Sequence, residues 1–384
     1  MAAQPANTVQ ALREELGQRL QAARQTPRAM PAECYTSSDY LALERDQLFR
    51  TQWICIGHAG EIAKPGDYYT TELVDEQLVV VRDKAGQVKV LSNVCRHRGN
   101  VVARGAGHAA RFTCGYHGWT YGIDGHLLAA PLMQESAGFQ KSQCHLHEFR
   151  CELWQEYIFV NLDGAASSLR EALEPIAPVI KNYHPAEQNF LFGAEEVWNT
   201  NWKCVVENFM EGYHLSPLHP TTLHPITPTA LCEKLPNGAA FTGYRSNFNP
   251  TCPERGPYHP DLSEKERRSD VFYSVFPSFV VGFCPHFTLY MCTRPLTPDT
   301  VAIRWGVTGN ASDPTSKVVT DYVQLCKDFC AEDRRELEQL QKGLKSRYYQ
   351  PGPLAPDNFE GTVHDIIDYM ARHLGLSSNT AALK

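Results

Sequence analysis

Residues 93–125 read NVCRHRGNVVARGAGHAARFTCGYHGWTYGIDG, and this stretch decides the fold of the first half of the chain. Cys95 and His97 are separated by one residue, Cys114 and His117 by two, and sixteen residues lie between the two pairs. Each loop therefore offers one thiolate and one imidazole, and two such loops can hold one metal centre from opposite sides. A set of two cysteines and two histidines binds either a tetrahedral zinc ion or a [2Fe–2S] cluster, with thiolates on one iron and imidazoles on the other.

The mixing of unlike ligands within each loop favours the cluster over zinc. Zinc fingers usually group cysteine with cysteine and histidine with histidine. Gly99, Gly115 and Gly118 also allow the backbone to approach closely, so that amide groups can point at cluster sulfides. Residues 105–110, GAGHAA, match the pattern of a dinucleotide-binding loop, but such a loop follows a strand and opens a helix. This segment lies between two ligand pairs, so we reject that interpretation. Structural zinc is the alternative to the cluster.

The segments CRHRG and CGYHGW resemble the C-x-H and C-x2-H motifs of the Rieske iron–sulfur domain, in particular that of non-haem iron oxygenases. This resemblance implies a Rieske [2Fe–2S] cluster bound by Cys95, His97, Cys114 and His117.

Short β-rich runs surround the two motifs and predict an antiparallel β domain over residues 51–163. Helical patterns predict helices that pack on the catalytic domain within residues 1–50, and strands followed by long helices predict a catalytic domain over residues 164–384. The fold class is therefore α+β. The individual helices are predicted over residues 9–24, 38–50, 168–182, 200–216, 315–347 and 361–374, with further strands within 271–309.

A second group of candidate ligands lies in residues 201–220, NWKCVVENFMEGYHLSPLHP. His214 and His219 are five residues apart, which would place them ~140° from each other on an unbroken helix. Pro217 and Pro220 interrupt a helix here, so the two imidazoles can converge. Two histidines and one carboxylate form the usual ligand set of a mononuclear ferrous site that activates dioxygen.

The predicted helix over residues 315–347 offers the carboxylate. Asp333 falls in line with the apolar stripe of this helix, whereas Asp328 and Glu332 fall off it. A buried carboxylate is costly unless it is paired or binds a metal ion. Asp333 is therefore a candidate ligand, and an ion pair with Arg334 or another neighbour is the alternative.

The segment ENFMEGYHLSPLH resembles the oxygenase pattern E-N-x-x-E-x-Y-H-x4-H, and AEDRRELEQLQKGLKSRYY resembles the later segment that supplies an aspartate ligand. The resemblance spans residues 38–375 and identifies the chain as the α subunit of a Rieske non-haem iron oxygenase. It implies a catalytic domain of the helix-grip (START/Bet v1-like) type whose Fe(II) is bound by His214, His219 and Asp333. His224 is interpreted as a supporting or structural residue.

The resemblance also implies a route for electrons. They would come from NAD(P)H through a separate flavin and iron–sulfur reductase, because the chain has no flavin or nicotinamide motif of its own. Members of the family form head-to-tail rings, usually homotrimers. In such a ring Glu211 is expected to bridge His117 of one subunit and His214 of its neighbour.

A glutamate at this bridge is the form associated with relatives that act on choline, carnitine and betaines. Aromatic faces attract alkylammonium groups with ~0.5–2 kcal/mol each, and Phe209, Tyr213, Phe287 and Tyr290 are expected to line the substrate pocket. We therefore predict a monooxygenase that uses O2 to hydroxylate or N-demethylate a small quaternary ammonium compound. One alternative is an aromatic acid as the substrate. Another is a module that only carries electrons or binds zinc.

The composition excludes other classes of protein. The chain of 384 residues is 43% hydrophobic and 21% charged, with 36 basic and 43 acidic side chains and a net charge of −7. Such a chain buries a substantial core and offers no basic surface for nucleic acid. It contains no apolar run of ~18 residues for a membrane helix and no pattern of a signal peptide. With 13 scattered cysteines it is expected to be a cytoplasmic protein with reduced thiols.

Overall fold

The computed structural model describes residues 5–21, 27–253 and 256–376. Residues 22–24 of the predicted first helix lie outside the described residues. The chain divides into two units, one comprising Phe49–Ala166 and the other comprising Met1–Leu48 together with Ser167–Lys384.

The unit Phe49–Ala166 is built from antiparallel strands. Its strands are β1 Ile54–His58, β2 Asp67–Leu73, β3 Glu76–Arg82, β4 Val88–Ser92, β5 Ala106–His108, β6 Arg111–Thr113, β7 Thr120–Gly122, β8 Leu127–Ala129, β9 Glu148–Trp154 and β10 Tyr157–Asn161. Seven of them form one sheet in the order β1-β10-β9-β4-β3-β2-β5, and the other three form the sheet β6-β7-β8. Val79, Val81 and Leu91 are fully buried in a core that also includes Cys95 and Cys114. Two of the predicted cluster ligands therefore rest on the hydrophobic core of this unit.

The second unit combines a seven-stranded antiparallel sheet with helices. Its strands, in the sheet order β11-β17-β16-β15-β14-β13-β12, are β11 Asn189–Trp198, β12 Cys232–Lys234, β13 Phe241–Asn247, β14 Ser269–Val275, β15 Phe279–Phe283, β16 Phe287–Thr297 and β17 Thr300–Gly309. Its helices are α1 Pro5–Gln21, α2 Glu33–Thr36, α3 Ser38–Glu44, α4 Leu169–Leu173, α5 Ala177–Ile180, α6 Trp202–Phe209, α7 Leu215–Leu218, α8 Glu264–Arg267, α9 Lys317–Leu344 and α10 Asp357–Leu374. Helix α6 packs on β15, β16 and β17, and α9 contacts α6 and β11. The predicted α+β class is confirmed.

Two predicted helices are interrupted in the structure. The segment 168–182 is divided into α4 and α5, because Pro175 and Pro178 remove backbone donors there. The predicted helix over residues 200–216 ends at Phe209, and a new helical turn begins only at Leu215. The break therefore comes before His214, earlier than the prolines indicate.

A buried ion pair joins the N-terminal helices to α6. The Nζ atom of Lys203 lies 2.5 Å from Oε1 of Glu44, and the two side chains are 0% and 1% exposed. The indole of Trp202 donates to the same carboxylate at 3.0 Å, and the Lys203 ammonium lies over the rings of Tyr35 and Tyr40. Burial raises the pKa of the Glu44 carboxyl, and the contact with Lys203 opposes that rise.

Breaking this pair is expected to destabilise the second unit strongly. Glu44→Gln leaves the Lys203 charge buried without its partner, which typically costs about 3–5 kcal/mol. Chemical denaturation followed by tryptophan fluorescence measures the change in the free energy of unfolding. The double variant Glu44→Gln/Lys203→Met removes both charges and should recover most of the loss. A Glu44→Gln protein as stable as the wild type would contradict this account.

Candidate active site

The two predicted cluster loops share one backbone design. Cys95 opens the loop after β4, and Cys114 opens the turn between β6 and β7. In each loop the glycine four residues later donates its N–H to the cysteine carbonyl: Gly99 to Cys95 and Gly118 to Cys114, both at 3.0 Å. These glycines have φ angles of +79° and +72°, a region that residues with a Cβ atom rarely adopt. The glycines of the two motifs therefore close the turns that present the ligands.

The four side chains of these loops converge with the sulfurs inside and the imidazoles outside. Cys95 and Cys114 are buried, whereas His97 is half-buried and His117 is exposed. The Nδ1 atoms of the two histidines lie 3.1 Å apart and face each other, and the His97 ring stacks on Trp119. Two imidazole nitrogens at this distance need a proton or a metal ion between them.

Hydrogen-bond donors surround the two sulfurs. The Tyr121 hydroxyl lies 3.2 Å from Sγ of Cys95, and the Asn100 amide donates to Sγ of Cys114 at 3.7 Å. Burial raises the pKa of the Cys114 thiol, but the contacts with the Tyr116 amide, the Cys95 and Asn100 side chains and the His117 amide outweigh burial, so that the pKa lies below its ordinary value. A site that favours a thiolate at Cys114, places a second sulfur beside it and aims imidazole nitrogens at one point fits a [2Fe–2S] cluster.

The second predicted ligand set also comes together. The ligand atoms of His214, His219 and Asp333 all lie within 4.8 Å of one another. Oδ1 of Asp333 lies 3.1 Å from Nε2 of His219 and 3.6 Å from Nε2 of His214. Asp333 and His219 are buried, and the Asn208 amide donates to the same Asp333 oxygen at 3.0 Å. Two imidazoles and one carboxylate that meet in a buried pocket fit a mononuclear iron site.

Two residues that competing interpretations would place at this site, His224 and Arg334, have other partners. His224 is bonded through Nδ1 to the Ser216 hydroxyl at 2.8 Å and is not part of the group of three. The Arg334 guanidinium pairs with Glu338 at 2.9 Å, rather than with Asp333.

A carboxylate holds the Nδ1 side of each histidine. Oε1 of Glu211 lies 2.5 Å from Nδ1 of His214, and Oε2 of Glu332 lies 2.7 Å from Nδ1 of His219. Carboxylates in this position fix the orientation of a metal-binding imidazole and leave Nε2 free to bind the metal. Glu211 also accepts the backbone N–H groups of Tyr213 and His214. In a continued helix these N–H groups would donate to backbone carbonyls. Because they donate to Glu211 instead, α6 ends before His214.

Sequence reasoning missed the role of Glu332. Its position off the apolar stripe of α9 argues against a ligand, but one residue before Asp333 its carboxylate contacts His219. The Thr222 hydroxyl donates to the same Glu332 oxygen at 2.6 Å and holds it there. Only the three-dimensional proximity of α9 to residues 219–222 reveals this contact.

Loss of the Glu332 carboxylate is expected to weaken iron binding. In Glu332→Ala the His219 ring loses the partner that fixes its orientation, and such losses lower metal affinity about 10–100-fold. Competition between the protein and an Fe(II) chelator measures the affinity. Glu336→Ala, which removes an exposed carboxylate of the same helix that pairs with Arg335, is the matched control. Equal affinities for the two variants would show that the contact has no such role.

A cavity opens beside the three candidate iron ligands. Its lining includes all three of them and a set of aromatic side chains, namely Phe209, Tyr244, Phe272, Tyr322 and Phe329. No Lys or Arg is among the described residues that line it. The cavity is therefore suited to an apolar or cationic molecule rather than to an anion.

Only one of the four predicted pocket residues lines this cavity. Phe209 does, but Tyr213, Phe287 and Tyr290 do not, and the prediction for these three is corrected. Tyr213 lies past the end of α6 and is 55% exposed. Tyr290 points away from its neighbour Leu289, which does line the cavity, because successive strand residues face opposite sides. Phe287 is buried and stacks against Tyr322, which takes the place beside the cavity.

Within the described parts of the chain, no helix combines the length and the apolar character that crossing a bilayer requires.

Two family models match the regions of the chain that contain the two candidate sites. Residues 52–151 match the Rieske [2Fe-2S] domain family, and residues 180–376 match the catalytic domain of the ring hydroxylating alpha subunit. The fold and the two ligand sets define a Rieske-type non-haem iron oxygenase, an oxidoreductase with a Rieske cluster and a mononuclear iron. The chain belongs to the ring hydroxylating alpha subunit family.

Two relatives align with most of the chain and with about half of it, respectively. The carnitine monooxygenase oxygenase subunit of Escherichia coli (strain K12) is 26% identical over 329 residues, which cover 84% of this chain and 85% of that protein. The protein of the same name from Acinetobacter baumannii is 33% identical over 193 residues, so that the match spans about half of each chain: 50% of this one and 52% of the relative.

Solved structures share the fold. The quaternary ammonium Rieske monooxygenase CntA in complex with L-carnitine superposes with a TM-score of 0.79 at 23% identity, covering 92% of this chain and 96% of that one. Naphthalene 1,2-dioxygenase from Rhodococcus sp. bound to indole gives 0.80 at 21% identity, covering 94% and 99%. Enzymes named for a cationic and for an aromatic substrate thus share this architecture, so the substrate has to be argued from the cavity itself.

Proposed function

We propose that this chain is the oxygenase component of a two-component monooxygenase that hydroxylates or N-demethylates a small quaternary ammonium compound. The observation that carries the proposal is the aromatic cavity without Lys or Arg in its described lining, beside two histidines and an aspartate. The relatives named carnitine monooxygenase oxygenase subunit support it.

The cavity favours a cation over an aromatic acid. The face of an aromatic ring is electron-rich and attracts an alkylammonium group. Tyr244 and Phe272 form one stacked pair, with ring centroids 5.1 Å apart and an angle of 10° between the rings. Burial raises the pKa of Tyr244 well above its ordinary value, and nearby negative groups add to this, so that its ring stays neutral. An aromatic acid would instead require a cationic side chain to balance its carboxylate.

In this proposal Cys95, His97, Cys114 and His117 hold the cluster, and His214, His219 and Asp333 hold Fe(II). The bound iron supplies dioxygen activation. The reaction converts one C–H bond of the substrate to a C–O–H group. It consumes one O2, two electrons and two protons, and it releases one molecule of water. Hydroxylation of an N-methyl group releases formaldehyde and leaves the demethylated amine. Glu211 and Glu332 keep the two imidazoles in place, and the buried aromatic walls restrict the entry of water.

The wider assembly follows the family. Electrons from NAD(P)H reach the cluster through a separate flavin and iron–sulfur reductase, and Glu211 bridges His117 and His214 of adjacent subunits in a homotrimer.

We assign residues 1–50 to the N-terminal helices, 51–163 to the Rieske domain and 164–384 to the catalytic domain. A cytoplasmic location is supported by the thirteen cysteines, none of which forms a disulfide.

The first experiment measures iron and acid-labile sulfide in anaerobically purified protein, together with EPR spectra before and after reduction. About three irons and about two sulfides per chain with a Rieske-type signal are expected. Zinc in place of the cluster would favour a zinc-binding module, and about two irons without a third would favour an electron carrier. His214→Ala separates the classes further, because an oxygenase should lose its third iron in this variant.

The substrate class is tested by binding and turnover with choline, carnitine, glycine betaine and proline betaine against benzoate-type acids. Formation of a hydroxylated or demethylated ammonium product supports the proposal. Turnover of an aromatic acid alone would transfer the assignment to the second substrate class.

A further inference from the structure

Two histidines and an aspartate of the second unit come together outside the candidate iron site. The ligand atoms of His184, His259 and Asp261 all lie within 4.8 Å of one another, as those of the candidate iron ligands do. None of the three lines the cavity beside that site. His184 lies between α5 and β11, whereas His259 and Asp261 lie in the segment that joins β13 to β14. The group thus connects two parts of the chain that are 77 residues apart in sequence.

The spacing of these nitrogen and oxygen atoms is close to the spacing that a metal ion imposes. Nε2 of His184 lies 2.8 Å from Oδ2 of Asp261, and Nδ1 of His259 lies 3.7 Å from the same oxygen. A tetrahedral zinc ion with bonds of about 2.0–2.2 Å keeps its ligand atoms roughly 3.3 Å apart, which falls between these two distances. Nδ1 of His259 also accepts the backbone N–H of Asp261 at 3.3 Å, so this atom carries a lone pair.

A carboxylate holds His184 from the other side of its ring. Oε1 of Glu187 lies 3.1 Å from Nδ1 of His184. The candidate iron site has the same arrangement, in which Glu211 and Glu332 contact Nδ1 of a histidine and leave Nε2 for the ion. The hydrogen bonds with Glu187 and Asp261 raise the pKa of His184, so a proton is the competitor of a metal ion at this imidazole.

The group is partly open to solvent, which leaves room for small adjustments. The side chains of His184, His259 and Asp261 are 26%, 25% and 57% exposed. The centroids of the two imidazole rings lie 3.9 Å apart, closer than the 5.2 Å between the rings of the candidate iron site. An ion bound by both rings therefore moves them apart. Two imidazoles, one carboxylate and water at an open position form a ligand set that suits zinc.

The segment that carries His259 and Asp261 connects two strands of the cavity wall. β13 and β14 are antiparallel neighbours, and both contribute residues to the lining of the cavity. The segment also contacts the region before β11 at a second point, where the Asn182 amide donates to both carboxylate oxygens of Glu266 at 3.1 and 3.0 Å. A bound ion replaces the contact between His184 and Asp261 by metal bonds to both residues and to His259, and so holds the segment more firmly.

We propose that His184, His259 and Asp261 bind a divalent transition-metal ion, with zinc preferred, and that this ion fastens the segment between β13 and β14 to the turn before β11. Glu187 orients His184, and water completes the coordination. This structural metal site is additional to the cluster and the candidate iron site. It goes beyond the proposed function and does not depend on the class of substrate.

Equilibrium dialysis of the anaerobically purified, iron-loaded protein against zinc chloride, followed by metal analysis, tests the site. The wild type is expected to bind about one zinc ion per chain in addition to its iron. Glu187→Gln should bind zinc about tenfold more weakly, since loss of a group that orients a ligand weakens metal binding about 10–100-fold. His259→Ala and Asp261→Asn each lose a ligand, so their affinity should fall at least about 100-fold.

His126→Ala is the matched control. His126 pairs with Asp124 at 3.4 Å and packs against His145, but among the described residues these side chains do not form a group of three ligand atoms. This variant should bind zinc as the wild type does.

The location of the ion is decided by Asp333→Ala, which should still bind zinc because Asp333 belongs to the candidate iron site. Zinc that is lost in Asp333→Ala and kept in His259→Ala would lie in the iron site and would overturn the proposal. Equal affinity of the wild type, His259→Ala and Asp261→Asn would also overturn it, as would a wild type that binds no zinc at about 0.1 mM. None of these results bears on the proposed function.

Limited proteolysis of the segment between β13 and β14 measures the fastening role. At a zinc concentration about ten times the Kd, opening that breaks the site is disfavoured about tenfold, and cleavage from the open state slows in proportion. Zinc should have no such effect on His259→Ala, which also controls for an action of zinc on the protease. Zinc that binds the wild type without slowing cleavage would show that the ion does not fasten this segment.

Discussion

Replacing Asp333 by alanine is expected to remove the mononuclear iron and to lower turnover at least about 100-fold, while the cluster remains. Loss of a residue that merely orients a ligand weakens metal binding about 10–100-fold, so loss of a ligand should exceed that range. Asp333 is also the group that both imidazole Nε2 atoms approach, at 3.1 and 3.6 Å. Without it, two histidines and an asparagine amide face a buried space with no anionic ligand.

Metal analysis of the Asp333→Ala variant should give about two irons and about two sulfides per chain, with an unchanged Rieske signal. Asp328→Ala is the matched control, because Asp328 is an exposed aspartate of the same helix that accepts a hydrogen bond from Gln324 and lies outside the group of three candidate ligands. It should retain about three irons and full turnover. Three irons in Asp333→Ala would mean that the third ligand lies elsewhere.

Glu211→Ala is expected to slow electron transfer between the two centres at least about 100-fold while both centres remain loaded. In the proposed ring, this carboxylate links the His214 imidazole to the cluster histidine of the adjacent subunit, and its loss removes the hydrogen-bonded path between them. Stopped-flow oxidation of the reduced cluster, in the presence of O2 and substrate, measures the rate. Glu211→Asp shortens the side chain by one methylene and should keep part of the rate.

Glu332→Ala provides the control that distinguishes a bridge from a positioning group. Glu211 and Glu332 each bind the Nδ1 atom of one iron-site histidine, at 2.5 and 2.7 Å. Only Glu211 is proposed to reach another subunit. With iron supplied in excess, Glu332→Ala should therefore oxidise its cluster at close to the wild-type rate. Equal slowing of the two variants would reduce Glu211 to a positioning role.

The parts of the site that depend on local spacing were predictable from sequence. Two loops that each pair a cysteine with a histidine specify a mixed ligand set, whatever lies around them. Asp333 could be selected over Glu332 because the helical period places it among the apolar residues of α9. The position of the helix break was predicted wrongly from the prolines: α6 ends at Phe209, and Pro217 lies inside the short helix α7, which is capped by His214 and His219.

The substrate pocket depended on contacts that no local pattern encodes. Tyr213 was expected in the pocket because a continued helix would carry it beside Phe209, but the chain leaves α6 before that residue. Tyr290 is aromatic, as expected of a pocket residue, but it lies on the face of β16 that points away from the cavity. Sequence alone does not give the register of a strand, and a shift of one residue exchanges its two faces.

The iron ligands are divided between a short irregular segment and the middle of a helix of 28 residues. His219 and Asp333 are 114 residues apart in sequence. A metal ion that binds both therefore closes a long loop of the chain in the folded state, and its binding free energy stabilises that state only while the ion is bound. Iron loading is in this sense a reversible cross-link, and part of its binding free energy is spent on fixing the segment around His214 and His219 against α9.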